Sequence, residues 1–201
     1  MPSDLVGYMS EHDLIDVVAY LETLKTPALT LEQWHILGPF DNGTDDAGLD
    51  KEYIPEPQAH RLQWVGLARQ FDGKYGKITW LTVKPNAESY VDLAAFFAPQ
   101  SSQIVSYLYR EIESPADQEA TILIGTDDGC KAWVNGEQVL SHRRHEVATP
   151  ERDSVKVKLK KGVNSIQLKI NNGDGPHGFY FTVVSEQELK QLPGEPKRGQ
   201  P

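Results

Sequence analysis

The sequence predicts an all-β protein, an antiparallel β-sandwich of the jelly-roll kind with one N-terminal α-helix. Three observations carry that reading. From Gln33 onward, about eight short apolar runs are separated by Gly, Pro, Asn and Asp, with no second helical period. Near the C-terminus Val155, Val157 and Leu159 alternate with Lys156, Lys158 and Lys160, and Ile166, Leu168 and Ile170 alternate with Gln167 and Lys169. That is the period of half-buried strands. Upstream of both lies Ile124–Val139, which holds the turn formers Asp127-Asp128-Gly129 and the pair Asn135-Gly136. Asn-Gly between apolar runs is a strong hairpin signal, so this stretch predicts two hairpin corners.

In chain order, residues 10–25 form the helix. Ser10 is a suitable N-cap, Leu14, Val17, Val18, Leu21 and Leu24 share one face, and Pro27 closes the element. A helix of this length is marginal alone in water, so its apolar face needs a partner. A first strand covers Gln33–Leu37 and ends at Gly38-Pro39. Residues 38–60 are rich in Asp, Gly and Pro and predict a long ordered loop, a usual place for function. Further strands follow at Ile78–Val83, Tyr90–Leu93, Ile104–Ile112, Thr121–Ile124 and Lys131–Val134. The two alternating segments predict a pair of half-buried strands joined by a short turn at 161–164. A Gly-rich loop at Asn171–Gly178 precedes the last strand, Phe179–Val184. The organisation is therefore a helical segment at 1–27, a sandwich at 28–192 and a polar, Pro-rich tail at 193–201.

Composition bounds the function. The chain has 201 residues, 39% hydrophobic and 24% charged, which suits one folded domain with an appendage. A net charge of −9 argues against nucleic acid and anionic lipid as partners, since both recruit clustered Lys and Arg. Cys130 is the single cysteine, so there is no internal disulfide and no multi-cysteine metal site. No run of 18 apolar residues predicts a membrane-inserted helix, and no basic segment followed by an apolar core predicts a signal peptide. Nucleophile elbows, phosphate loops, zinc-protease motifs and dinucleotide fingerprints are missing, and no pair among the 29 acidic residues stands out for sugar hydrolysis.

Seven segments, in order, carry a family resemblance: Trp34–Asn42, Trp80, Val105–Leu108, Gly125–Gly129, Trp133–Gly136, Leu159–Asn164 and Gly178–Phe181. Together they resemble a galactose-binding-like jelly-roll module appended to large secreted bacterial enzymes and haem proteins. The resemblance implies a non-catalytic accessory role, contact with carbohydrate or polysaccharide, and a periplasmic or extracellular setting. The N-terminal residues Met1–Val6 and Met9–Lys25 resemble the end of a class I cytochrome c domain. That implies upstream cytochrome c or oxidoreductase domains, haem c in the parent protein, and Met1 at the axial-ligand position. No Cys-X-X-Cys-His occurs in the chain, so haem attachment would lie upstream. On this alternative the chain is part of an electron-transfer protein and the sandwich is a scaffold.

Candidate site residues follow from side-chain chemistry. Trp34, Trp64, Trp80 and Trp133 are large apolar surfaces, each burying roughly 150–250 Å² when packed. Trp34 and Trp80 suit a core, whereas Trp133 lies opposite Ala132 and Val134 on its strand and is the candidate stacking platform. Tyr180 faces away from Phe179 and Phe181 and is a second platform. Asn135 and Arg152 are candidates to bind sugar hydroxyls. Asp127 and Asp128, joined by Asp174 if the 171–175 loop folds beside them, are candidate calcium ligands. The Asp127-Asp128 context also resembles the protective-antigen-type lectin domain, in which adjacent aspartates hold calcium that in turn holds a sugar. The competing reading is a turn whose Asp side chains cap backbone amides. His142-Arg143-Arg144-His145 is a basic cluster suited to a carboxylate or phosphate, or else a solvated loop. Arg152-Asp153 is read as an ion pair.

Overall fold

The computed structural model describes Ser10 and residues 28–30, 32–56 and 69–192. The helix at 10–25 beyond Ser10, Met1, Trp64 and the tail at 193–201 lie outside the described residues. The described strands are β1 (Ala28–Thr30), β2 (Trp34–Asp41), β3 (Phe71–Gly73), β4 (Gly76–Ile78), β5 (Leu81–Val83), β6 (Tyr90–Asp92), β7 (Ile104–Ser114), β8 (Gln118–Thr126), β9 (Cys130–Val134), β10 (Glu137–His142), β11 (Asp153–Leu159), β12 (Gly162–Asn172), β13 (Gly178–Ser185) and β14 (Lys190–Gln191). All pairings are antiparallel.

Two sheets make the sandwich. The smaller has the order β1-β13-β8-β11, with β6 also on β13. The larger has the order β10-β9-β12-β7-β2-β5, with β14 also on β7, and β3-β4 is a separate ribbon. From β7 to β13 the chain passes repeatedly from one sheet to the other, which lets each sheet bury one face against its opposite. The core between them is built by the inward residues of both: Trp34, Ile36, Leu108, Leu168 and Ile170 from one, and Ile122, Ile124, Phe179, Phe181 and Val183 from the other. The Trp34 indole meets Phe179 and Phe181 edge-on, with centroids 5.4 and 5.0 Å away. The all-β sandwich and the core positions of Trp34 and Trp80 agree with the sequence.

Three local expectations need correction. Asn135-Gly136 is a true hairpin corner between β9 and β10, with φ of 53° and 85° at the two positions. Asp127-Asp128-Gly129 is not one, because β8 and β9 belong to different sheets. It is an arch that carries the chain across the sandwich. The alternating segments likewise do not form a pair: β11 lies on β8 and β12 lies between β7 and β9. Nor is β12 half-buried, since its residues from Asn164 to Asn172 are all buried. Its outer face is covered too, because Leu37, Phe40, Ile54, Trp80, Val105, Tyr107 and Tyr109 form a second apolar cluster on that side of the larger sheet.

The segment expected as a long ordered loop also contains regular structure. β2 continues to Asp41 past a register shift after Leu37, and a short helix α1 (Ala47–Asp50) follows. A second short helix, α2 (Leu93–Phe97), follows β6 and is capped by Asp92, whose side chain accepts from Ala95 N at 2.8 Å. Residues 51–56 then reach over the outer face, where Lys169 is fully buried. Its Nζ donates to Lys51 O at 2.7 Å and Glu56 Oε1 at 2.6 Å, and faces the rings of Tyr53 and Tyr107. The Tyr107 hydroxyl donates to the same Glu56 oxygen.

Candidate functional site

One end of the sandwich gathers the loops that hold most of the chemistry. The β8–β9 arch is tied to its neighbours through the backbone. Asp127 N donates to Gly178 O at 2.9 Å, Asp128 N to Glu146 O at 3.2 Å, and Asn171 N to Gly129 O at 3.2 Å. The 171–175 loop does fold beside the arch, because Gly173 N donates to Asp128 Oδ2 at 2.7 Å. Gln103 N in turn donates to Gly173 O at 2.6 Å.

Asp127 and Asp128 are both buried, and they have different neighbours. Asp128 faces Gly173, Asp46 and Asp174, with His145 Nδ1 3.6 Å from its Oδ1. His145 Nε2 is 3.2 Å from Asp46 Oδ2, while the Asn42 and Asn171 amides donate to Asp46 Oδ1 at 2.9 and 2.6 Å. Asp174 accepts from the Ser102 hydroxyl. Asp127 is bonded by the Ala148 backbone, while its Oδ2 is buried without a partner among the described residues. Burial, and secondarily the Asp128 charge, push the Asp127 carboxyl up to about 6. Burial likewise raises Asp128, opposed by the Gly173 amide. Among the described residues, no group of three or more His, Cys, Asp or Glu side chains is arranged to hold a metal.

Tyr180 on β13 is half-buried and lies beside Tyr90 on β6, with ring centroids 5.0 Å apart and planes at 45°. Register places Tyr90, Tyr180 and Gly125 in one row on the outer face of the smaller sheet. Glycines make the close approaches possible here. The Tyr90 hydroxyl lies against Gly178, and the Thr149 carbonyl lies so near Gly125 that a methyl group there would collide with it. The Tyr90 hydroxyl is pushed up to about 12 by burial first and the Asp127 charge second. So Tyr90, Tyr180 and the Asp127 carboxylate form one local group, with residues 143–152 strapped along its side.

That strap absorbs the basic cluster. Arg144 makes a two-pronged contact with Asp153 at 2.9 and 2.7 Å, and Arg143 pairs with Asp50. His142 Nε2 lies 3.3 Å from Asp153 Oδ2, and burial lowers the His142 pKa. These residues are braces, not an open anion site. Arg152 does not pair with Asp153 as the sequence suggested. It pairs with Glu146, and its Nε donates to Thr149 Oγ1 at 3.1 Å, so it holds the strap in shape.

Two other candidates are spent on structure. Trp133 is 5% exposed, so it presents no open stacking face. It does lie opposite Ala132 and Val134, but its side of the larger sheet is covered, and it sits in a row with Gln167, Tyr109 and His35. Asn135 shapes its hairpin: its Nδ2 donates to Asn164 Oδ1 at 2.8 Å, and its Oδ1 accepts from Ser165 N at 3.0 Å. Sequence reasoning did not single out Tyr90 or His145 as partners in these groups. Both arrive from distant segments, and only the strand register and the strap bring them in.

No protein-family model matches the chain, and no curated protein matches it. Solved structures do resemble it. A glycosyl hydrolase family 2 member from Bacteroides cellulosilyticus is 14% identical over 82% of this chain and 20% of its own, with a TM-score of 0.48. A PA14 sugar-binding domain from an RTX adhesin is 12% identical over 81% of this chain and 96% of its own, with a TM-score of 0.45. An anti-sigma factor domain-containing protein from Clostridium clariflavum is 19% identical over 49% of this chain, with a TM-score of 0.40. This chain spans 35% of that protein's length, and 14% of a β-glucosidase from Kluyveromyces marxianus. With identities below 25% and TM-scores below 0.5, these likenesses bear on neither ligand nor activity. What stands on the chain's own pairing is its class: an all-β protein built as an antiparallel β-sandwich.

Proposed function

We propose that this chain is a carbohydrate-binding accessory module whose site is the Tyr90–Tyr180 pair beside Asp127. The single observation that carries the proposal is the half-buried tyrosine pair, 5.0 Å between centroids, next to a carboxylate with an unpaired oxygen. Tyrosine offers a flat apolar face for a pyranose ring together with a hydroxyl for hydrogen bonding. Asp127 lies buried beside the pair, where burial first and its charge second keep the Tyr90 hydroxyl protonated, and the strap braced by Arg152 walls one side. Glycan-array screening followed by calorimetry tests this. Binding of a neutral or acidic glycan should be lost in Tyr180→Ala and kept in Tyr90→Phe. An array without hits, or full binding by Tyr180→Ala, defeats the proposal.

A second reading is calcium dependence at Asp127, Asp128 and Asp174. In its favour, Gly173 brings the 171–175 loop onto Asp128, and the buried side-chain oxygens of Asn42, Asn171 and Asn172 have no hydrogen-bond partner among the described residues. Calcium prefers six to eight oxygens, so amide oxygens would have to supplement the carboxylates. Calcium should then raise the melting temperature of the wild type but not of Asp128→Asn; an unchanged wild type rejects it. The wider setting rests on resemblance alone: a periplasmic or extracellular location on that of the sandwich segments, and upstream cytochrome c domains with Met1 as haem ligand on that of the N-terminal residues. A haem absorbance band in the full natural protein, present in wild type and altered on replacing Met1, tests it.

A further inference from the structure

A second binding surface lies away from the tyrosine pair, at the open side of the sandwich where the edge strands of the two sheets meet. β10 pairs only with β9, and β11 only with β8, among the described residues. Between these two edges is a cleft of about 520 Å³. Its apolar lining comes from Val134, Val139 and Val157, and its rim carries Lys156, Lys158 and Lys160. These three lysines are exposed, and none has an ion-pair partner among the described residues. In a chain of net charge −9, this row faces an open edge on one side, and on the β8 side Glu119 is the carboxylate in register, opposite Lys158. Glu137 is the one carboxylate in the lining.

We propose that the β11 edge accepts an extended peptide of alternating acidic and aliphatic residues, added as a further strand of the smaller sheet. The geometry dictates the pattern. Lys156, Lys158 and Lys160 project to one side of β11, and Val155, Val157 and Leu159 to the other. Side chains of an added strand line up with those of its neighbour, face for face. Acidic residues at every second position therefore stand opposite the lysines. The intervening aliphatic residues enter the cleft against Val139 and Val157. Backbone bonds to the free edge supply affinity, and the two faces supply selectivity.

A second copy of this chain is a poor occupant, because pairing β11 with β11 sets lysine against lysine. Lysines on an edge also discourage uncharged strands. What they leave admissible is an acidic strand.

The test is fluorescence anisotropy with a labelled peptide of four Glu-Val repeats, titrated with the whole chain at low and high salt. Three controls accompany it: the same peptide N-methylated on alternate backbone nitrogens, an oligogalacturonate, and the variant K156E/K158E/K160E, checked for folding by circular dichroism. The proposal expects binding of the Glu-Val peptide that weakens with salt. It expects a loss of about tenfold or more in the triple variant, and little binding of the methylated form. Three results each overturn it: no binding by the Glu-Val peptide, equal binding by the N-methylated peptide, or displacement of the peptide by oligogalacturonate. The last would mark a polyanion site rather than a strand acceptor.

Discussion

His177 sits fully buried against Phe97, ring centroids 6.2 Å apart, with neither ring nitrogen hydrogen-bonded among the described residues. Burial depresses its pKa from 6.5 to about 3, so the ring is neutral in the fold. Below pH 6.5 the unfolded chain takes up a proton that the folded chain refuses. Stability contributed at this position is therefore full above pH 6.5 and is lost as pH falls towards 3, at a limiting slope of about 1.4 kcal/mol per pH unit. Asp127 acts in the opposite sense. Its carboxyl is raised from 3.8 to about 6, so the folded state holds the proton longer, and stability falls as pH rises through that window. Urea unfolding across pH 3–8 checks both. His177→Phe should flatten the acid loss, and Asp127→Asn should gain more relative to wild type at pH 7 than at pH 4. Lys169 gives a third outcome. Lys169→Ala leaves Glu56 charged and buried, and should cost about 3–5 kcal/mol, whereas Lys169→Met combined with Glu56→Gln should recover much of that loss.

At the scale of elements, the strap over residues 143–152 depends on one position beneath it. A side chain at 125 has no room under the Thr149 carbonyl. Gly125→Ala should destabilise the fold by about 1–3 kcal/mol, and should weaken glycan binding at Tyr180 if the strap walls that site. Calorimetry and urea titration separate the two effects. Elements also show how far the sequence reaches. The alternation of β11 is read correctly from Val155 to Lys160 because one of its faces does meet water. The same pattern in β12 misleads. Gln167 and Lys169 are polar yet buried, since Tyr53, Glu56 and the Tyr107 cluster close over that face. Trp133 is buried on the same covered side. Local alternation reports which side a residue takes, and cannot report whether a distant segment covers it.

For the molecule as a whole, the core joins both sheets into one apolar body, with Cys130 at 0% exposure within it. Burial pushes the Cys130 thiol up and keeps it protonated. Thiol reagent should react only after global unfolding, at the same denaturant midpoint as tryptophan fluorescence from Trp34, which lies in that core. An earlier thiol transition would show that the two sheets separate before the core melts.

By itself the sequence determined the class of fold, most strand positions, the Asn135-Gly136 corner and the core roles of Trp34 and Trp80. These follow from turn chemistry and from the two-residue period, which neighbouring residues encode. Only the tertiary structure decided that the Asp127-Asp128-Gly129 turn is an arch between sheets and that β11 and β12 part company. It also brought Tyr90 beside Tyr180, tied Arg143, Arg144 and His145 to Asp50, Asp153 and Asp46 as braces, and left an open cleft beside three lysines. Each of these depends on which strand pairs with which across tens of residues, and that choice is made by burial of whole faces, which no local pattern contains.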